Sequence, residues 1–320
     1  MPPRDRLKKF KTSRLIMEKL PFLFLAMGNA TVTMIAQNQR GAIKDAGMIG
    51  WTNISNALVA YAEYLAKMVW PGHLVVLYPY VPQPIWKGAV AGLIMCTIST
   101  SVWIWRSKRY FVTGWLWYIV TLLPVSGLIR IGEHSFADRY GYIPLIGPFV
   151  AISWWIWEKM AEKRKFVRKL TLTAIVVILL LFSVKTWNQI PLWQDSITLF
   201  RHTIEFTNNN WMAYHNIGTA LIDRGETEEG LIWIDKSLQI NPDYSVAYNS
   251  LAIAYGRLGY EEKAITALKY ALSLDPGFKD ARYNLVRAYI QEGQKEAAFV
   301  EYQILQKSDR YLADKLAPYF

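Results

Sequence analysis

Three observations predict an all-α protein in two parts, a polytopic membrane helix bundle followed by an α-solenoid. Long uncharged apolar runs recur between Leu20 and Trp187. The loops between those runs alternate between strongly and weakly basic. From Trp211 onward the sequence resembles itself in successive units that begin at Trp211, Ser245 and Lys279. The chain of 320 residues is 52% hydrophobic and holds 14 tryptophans, a composition suited to membrane interfaces. Its net charge of +11 is unevenly placed. Residues 201–320 carry 13 Lys/Arg against 16 Asp/Glu, whereas residues 1–200 carry 23 against 9. A basic apolar half beside a mildly acidic half argues against nucleic-acid binding. One cysteine, Cys96, excludes an intrachain disulfide and a Cys-based zinc site.

The elements follow in order. Residues 1–19 form a basic, cytoplasmic N-terminus. Leu20–Gln37 is the first span, about 27 Å long as a helix. Residues 38–52, with Gly41, Gly47 and Gly50, read as a loop. Over about 53–70, Ala57, Leu58, Tyr61, Leu65 and Met68 recur at helical spacing, and Glu63 and Lys67 fall at i,i+4. This predicts an amphipathic interfacial helix stopped by Pro71 and Gly72, or else a short buried packing helix. Further spans are predicted at 88–105, 110–129 (kinked at Pro124), 140–157 and 170–187, the last closed by Lys185 and Trp187 at the interface, which gives about five in all. The N-terminus, the 106–109 turn and the 159–169 loop hold 7, 3 and 6 Lys/Arg, against 3 and 2 in the loops 38–84 and 130–139. Positive residues stay inside, so the N-terminus is cytoplasmic and everything beyond Val184 lies outside.

Between the spans sits GEHSFADRYGYIPLIG, residues 132–147, the one place in this half where acid, base and imidazole crowd together. Burying Glu133, Asp138 and Arg139 at a bilayer centre would cost about 8–10 kcal/mol, so the stretch belongs at a membrane surface or in a polar cavity. Arg139 is the candidate for a lipid-phosphate contact, because a guanidinium grips phosphate oxygens bidentately and keeps its charge. Glu133 and Asp138 are the candidate catalytic acids; Asp138 could alternatively orient Arg139 or bind a divalent cation, and Glu133 and His134 are candidates for proton transfer or metal ligation. Glu133, His134 and Asp138 make too sparse a set for a metal centre, so no metal is expected. The bland alternative is a solvated loop. No Gly-rich phosphate loop, nucleophile elbow or H-E-x-x-H pattern occurs.

Counting from Trp211, Ser245 and Lys279, the seventh positions are Ile217, Leu251 and Leu285, and the twentieth are Gly230, Ala264 and Ala298. Gly225, Gly259 and Gly293 share the turn position, and Pro242 and Pro276 close two units. This is the tetratricopeptide pattern. The domain therefore spans 195–320, with units 211–244, 245–278 and 279–309, an N-terminal capping helix at 195–207 and a C-terminal one at 310–317. The first helix of each unit would offer its residues to a concave groove: His215, Asn216, Thr219 and Asp223; Asn249, Ser250, Ile253 and Arg257; Tyr283, Asn284, Arg287 and Gln291. Asn216 and Asn284 repeat at one position and form two rungs that would clamp an extended polypeptide, the expected partner. A merely solvated face is the alternative for any one of these residues.

Several strings together resemble a known family: EKLPFLFLAMGNATVTMIAQ (18–37), NALVAYAEYLAKMVWPGHLVVLYPY (56–80), GWLWYIVTLLPVSGLI (114–129), ADRYGYIPLIG (137–147) and WQDSITLFRHTIE (193–205), followed by the repeats. They are similar to bacterial relatives of the TMTC-type (transmembrane and tetratricopeptide repeat) protein O-mannosyltransferases. The resemblance implies the second half of a C-type glycosyltransferase membrane fold in a bacterial inner membrane, an extracytoplasmic repeat domain, and a polyprenyl-phosphate sugar as donor. In such folds an acidic residue in the first outer loop activates the acceptor. Here the chain begins about where the second half of that membrane domain would, and the loop 38–52 holds only Asp45. The expectation drawn is therefore an integral membrane protein presenting a polypeptide-binding groove, with no cofactor. The alternative is an active or split polyprenyl-phosphate-sugar-dependent protein O-glycosyltransferase.

Overall fold

The computed structural model describes residues 50–72, 74–128, 134–161 and 163–320, and before them Met17, Leu20, Phe24, Leu25, Gly28, Thr31, Val32 and Ile35, all helical. The remainder of the first expected span, the basic N-terminus and Glu133 lie outside the described residues.

Helix α1 (Trp51–Val69) ends where Pro71 and Gly72 leave no helical continuation. It buries one face, with Asn53, Ser55, Asn56, Ala57, Ala60, Tyr61 and Tyr64 withdrawn from solvent. Two tyrosines tie it to α3 (Arg109–Leu122) reciprocally. Tyr61 donates to the Ile119 carbonyl at 2.7 Å, and Tyr118 donates to the Tyr61 carbonyl at 2.5 Å. Helix α2 (Ile85–Ile104) starts after Pro84 and meets α1 so closely that a Cβ on Gly88 would lie 2.3 Å from Ser55 Oγ. Its Thr97, Thr100 and Ser101 hydroxyls donate to carbonyls four residues back, which satisfies them on an apolar helix.

The expected span at 110–129 is corrected to a helix of 14 residues followed by a 3-10 turn, Leu123–Val125. Pro124 lacks the N–H that would continue the ladder. At about 21 Å, α3 is shorter than a bilayer's hydrocarbon core of about 30 Å. Helix α4 (Tyr142–Ala161) has sufficient length, but Gly147, Pro144, Pro148 and three tryptophans dilute its aliphatic content, and it runs on to Glu158 and Lys159. It crosses α3 with backbones touching: a Cβ on Gly114 would meet the Gly147 carbonyl at 2.5 Å. Helix α5 (Lys165–Gln189) buries none of its residues. Among the described residues, two helices are long and apolar enough to cross a membrane, Ile85–Ile104 and Lys165–Trp193. Length and apolarity therefore do not support the expected bundle of about five spans.

Two short strands, β1 (Tyr78–Pro79) and β2 (His134–Phe136), pair antiparallel beneath α1, and Tyr78 stacks on Phe136 at 4.2 Å between centroids. They are too short to show any alternation in sequence.

A 3-10 turn, Ile190–Trp193, leads from α5 into the repeats. The capping helix α6 (Ser196–Phe206) is started by Asp195, whose carboxylate accepts from the N–H groups of Ile197 and Thr198 at 2.9 and 3.0 Å. Three hairpins follow: α7 (Trp211–Asp223) with α8 (Thr227–Ile240), α9 (Ser245–Arg257) with α10 (Glu261–Leu274), and α11 (Lys279–Gln291) with α12 (Lys295–Ser308). The short α13 (Arg310–Asp314) closes the end. Gly225, Gly259 and Gly293 turn each hairpin at φ of 90°, 77° and 76°, a left-handed conformation that a side chain would oppose. The next N–H then reaches back to close the helix, as from Glu226 to the Leu221 carbonyl at 3.0 Å. Ile217, Leu251, Leu268, Leu285 and Leu305 are buried in the core of this half.

The halves meet at Asn210, which is fully buried. Its side chain caps α7 by accepting from Ala213 N–H at 3.2 Å. Its amide donates to Thr207 Oγ1 at 2.9 Å and to the Leu77 carbonyl at 3.4 Å.

Candidate functional site

The first candidate site forms where the 3-10 turn Asp138–Gly141 leaves β2 and passes under the C-terminal end of α1. Tyr64 anchors that turn by donating to the Ala137 carbonyl at 2.7 Å. Asp138 then accepts three donors: the Val75 N–H at 2.8 Å, the Tyr78 hydroxyl at 3.2 Å, and Lys67 Nζ in an ion pair. Lys67 also donates to Tyr78 Oη at 2.7 Å and stands 4.1 Å from the centre of the Tyr78 ring. The pair is largely withdrawn from water, at 17% and 13% side-chain exposure. Burial, reinforced by the Asp138 charge, pushes the Tyr78 phenol well above its ordinary range. The Tyr64 phenol is also raised, chiefly by burial.

These contacts revise the sequence reading of Asp138 and Arg139. Asp138 does not orient Arg139, because its partner is Lys67, the residue expected to pair with Glu63. A carboxylate holding an ammonium and two further donors anchors the local chain. Arg139 is exposed; its guanidinium donates to the Val76 carbonyl at 3.2 Å and lies 5.1 Å from the Tyr140 ring centre.

Beside Asp138, a cavity of about 680 Å³ opens between α1, α4 and α5. Arg139 does not line it. Met68, Leu145, Phe149 and Phe182 give it an apolar wall, and Lys67, Asp138, Lys185 and Gln189 a polar end. Lys185 Nζ donates to the Pro71 carbonyl at 3.3 Å and lies 4.2 Å from the Trp70 ring centre. Gln189 donates to the Leu74 carbonyl at 3.2 Å. In sequence Lys185 is only a charge ending an apolar run, and nothing there signals that it faces α1.

The second candidate site is the concave face of the repeats. The structure takes His215 and Asn249 off that face. His215 is 7% exposed, with Nε2 2.9 Å from Ser250 Oγ and the ring edge-on to Tyr244. Burial lowers its pKa to about 4, so it is neutral at pH 7. Asn249 is buried and accepts from the Asn284 amide at 2.8 Å. Asn216 donates to the Met212 carbonyl at 2.6 Å, so the amide group of each expected rung makes a hydrogen bond within the repeats. Tyr283 packs against the core of this half. His215 and Asn249 thus each meet the first helix of the following unit, at Ser250 and at Asn284.

The open rows lie a turn further on. Asn216, Thr219, Asp223 and Arg224 line a cavity of about 420 Å³ against α6. Ile253, Arg257, Asn284, Arg287 and Gln291 line another of about 370 Å³. Arg257 is largely committed, donating to the Ile222 carbonyl and to Asp223 at 3.2 Å. Arg287 is exposed. Among the described residues, no three His, Cys, Asp or Glu side chains gather to hold a metal.

The repeated hairpins match tetratricopeptide-repeat models over residues 213–244 and 261–309. The C-terminal part of the chain is built of tetratricopeptide repeats, a protein-binding architecture. The chain is also distantly similar to protein O-mannosyl-transferases. It is 24% identical to Tmtc3 of Drosophila melanogaster over 127 residues, 40% of this chain and 14% of that protein. It is 26% identical to human TMTC3 over 121 residues, covering 38% and 13%. The match thus spans about one seventh of these relatives. Among solved structures, MamA is 25% identical over 41% of this chain and 76% of its own, with a TM-score of 0.35. YrrB, described as a tetratricopeptide protein with an unusual peptide-binding site, is 18% identical over 38% and 64%, also with a TM-score of 0.35.

Proposed function

We propose that the chain is a membrane-held platform that presents a polypeptide-binding tetratricopeptide groove on the outer side of a bacterial inner membrane. The observation that carries this reading is α5. Leu170, Leu172, Val176, Val177, Ile178, Leu179, Leu180, Leu181 and Val184 are all exposed, on a helix of which nothing is buried. Such a surface is untenable in water at about 25 cal/mol per Å² of apolar area, and a bilayer covers it. Exposed Leu93, Ile94 and Ile104 give α2 the same need. Lys163, Arg164, Lys165, Arg168 and Lys169 at the start of α5 favour a cytoplasmic start, so the helix delivers the repeats to the outer side. Trp187 and Trp193, both exposed, suit the outer interface. The full chain is expected to remain in the membrane pellet through alkaline carbonate washing. Release into the supernatant would remove the platform reading.

A second reading is glycosyl transfer from a polyprenyl-phosphate sugar, and the cavity beside α5 favours it. Its apolar wall suits a prenyl chain and its Lys185 end suits a phosphate. Lys185 then replaces Arg139 as the phosphate contact, because Arg139 lies outside the cavity. The acceptor-activating acid would come from outside the described residues, since Asp138 is spent on Lys67.

A further inference from the structure

The groove cavity of about 370 Å³ is framed by α9, α10 and α11 and holds an unpartnered carboxylate oxygen. Glu261 lines it from the first turn of α10, and its Oε2 is buried with no hydrogen-bond partner. One of the two cations in the wall is already engaged. Arg257 is held by Asp223 and by the Ile222 carbonyl, so its charge is already matched. The space beside Glu261 is kept open by Gly256: a Cβ built there would meet nothing within 4 Å except Glu261 Oε2, at 3.8 Å. Arg287 and Gln291 stand on the α11 wall and suit the backbone carbonyls of an extended chain. A carboxylate oxygen withdrawn from water in a cavity favours a cation or a strong donor beside it. The whole repeat region favours cations too, with 16 acidic against 13 basic residues over 201–320.

We propose that this cavity is a specificity pocket for a basic side chain, lysine or arginine, of the polypeptide in the groove, with Glu261 as counter-ion. The proposal rests on the reading of the repeats as a polypeptide groove. The cavity volume admits one extended lysine or arginine side chain, and the small residues Ala252, Ala264 and Ala288 among its lining leave that space clear.

The test uses the full chain in nanodiscs and pools of acetylated, amidated octapeptides. Seven positions are randomised and the fourth is fixed as Lys, Arg, Glu or Leu. The Lys and Arg pools are expected to bind at least fivefold more tightly than the Leu and Glu pools. In Glu261→Gln, a near-isosteric change, the ratio of Lys-pool to Leu-pool affinity is expected to fall to about one. Gly256→Leu, which the backbone accepts and which fills the cavity, is expected to remove the same preference. Equal binding of all four pools, tightest binding of the Glu pool, or a Lys preference that survives Glu261→Gln would overturn the pocket while leaving the groove reading intact. Binding of no pool would overturn the groove reading and this pocket with it.

Discussion

Asp138→Ala is expected to destabilise the chain by about 3–5 kcal/mol, the usual effect of stranding one member of a buried ion pair. The substitution removes the counter-ion of Lys67 and the acceptor for the Val75 N–H, both in a setting with little water. It also cuts the link between the end of α1 and the turn that opens α4. Lys67→Met in the same background should recover part of the loss, because the uncompensated cation goes with it. Coupling of at least about 1 kcal/mol between the two substitutions is expected from thermal unfolding of the four variants in nanodiscs. A loss below about 1 kcal/mol for Asp138→Ala, or strict additivity, would mean that the pair is not the anchor described.

Lys185→Glu is expected to weaken binding of a polyprenyl phosphate by at least tenfold, about 1.4 kcal/mol, if the α5 cavity takes that lipid. The reversal places a carboxylate where the phosphate would sit, at the polar end of a partly enclosed space. Arg139→Ala should change the affinity much less, since that guanidinium lies over Tyr140 and bonds the Val76 carbonyl. Lipid binding by microscale thermophoresis in nanodiscs reads both variants. If Arg139→Ala costs as much as Lys185→Glu, the cavity is not the phosphate site.

The repeats are the most legible part of the sequence, for a physical reason. Each unit must bury the same face, turn at the same point and stop at the same point. Ile217, Leu251 and Leu285 therefore recur at one position of the three units, and Gly225, Gly259 and Gly293 at another. The groove is less legible. His215 and Thr219 lie one turn apart on nearly the same helix face, yet His215 is buried against Ser250 and Tyr244 while Thr219 lines a cavity, a difference set by the neighbouring elements and not by spacing. The apolar half reveals its composition but not its helix lengths. Pro124 shortens a run that hydropathy alone reads as continuous. The site around Asp138 is signalled by charge in an apolar setting, but its partners are not. Lys67, Val75 and Tyr78 lie 60 or more positions before it in sequence, and Lys185 reaches α1 only once α5 has packed. Pairing at that range leaves no local pattern to read.

The most direct measurement of the central claim is the labelling of one cysteine on the last repeat. Ser308→Cys in a Cys96→Ser background places a single thiol at the end of α12, where Ser308 is exposed. In intact spheroplasts the account predicts reaction with a membrane-impermeant maleimide to the same extent as after lysis. Labelling that appears only after lysis would put the repeats in the cytoplasm and contradict an outward-facing groove.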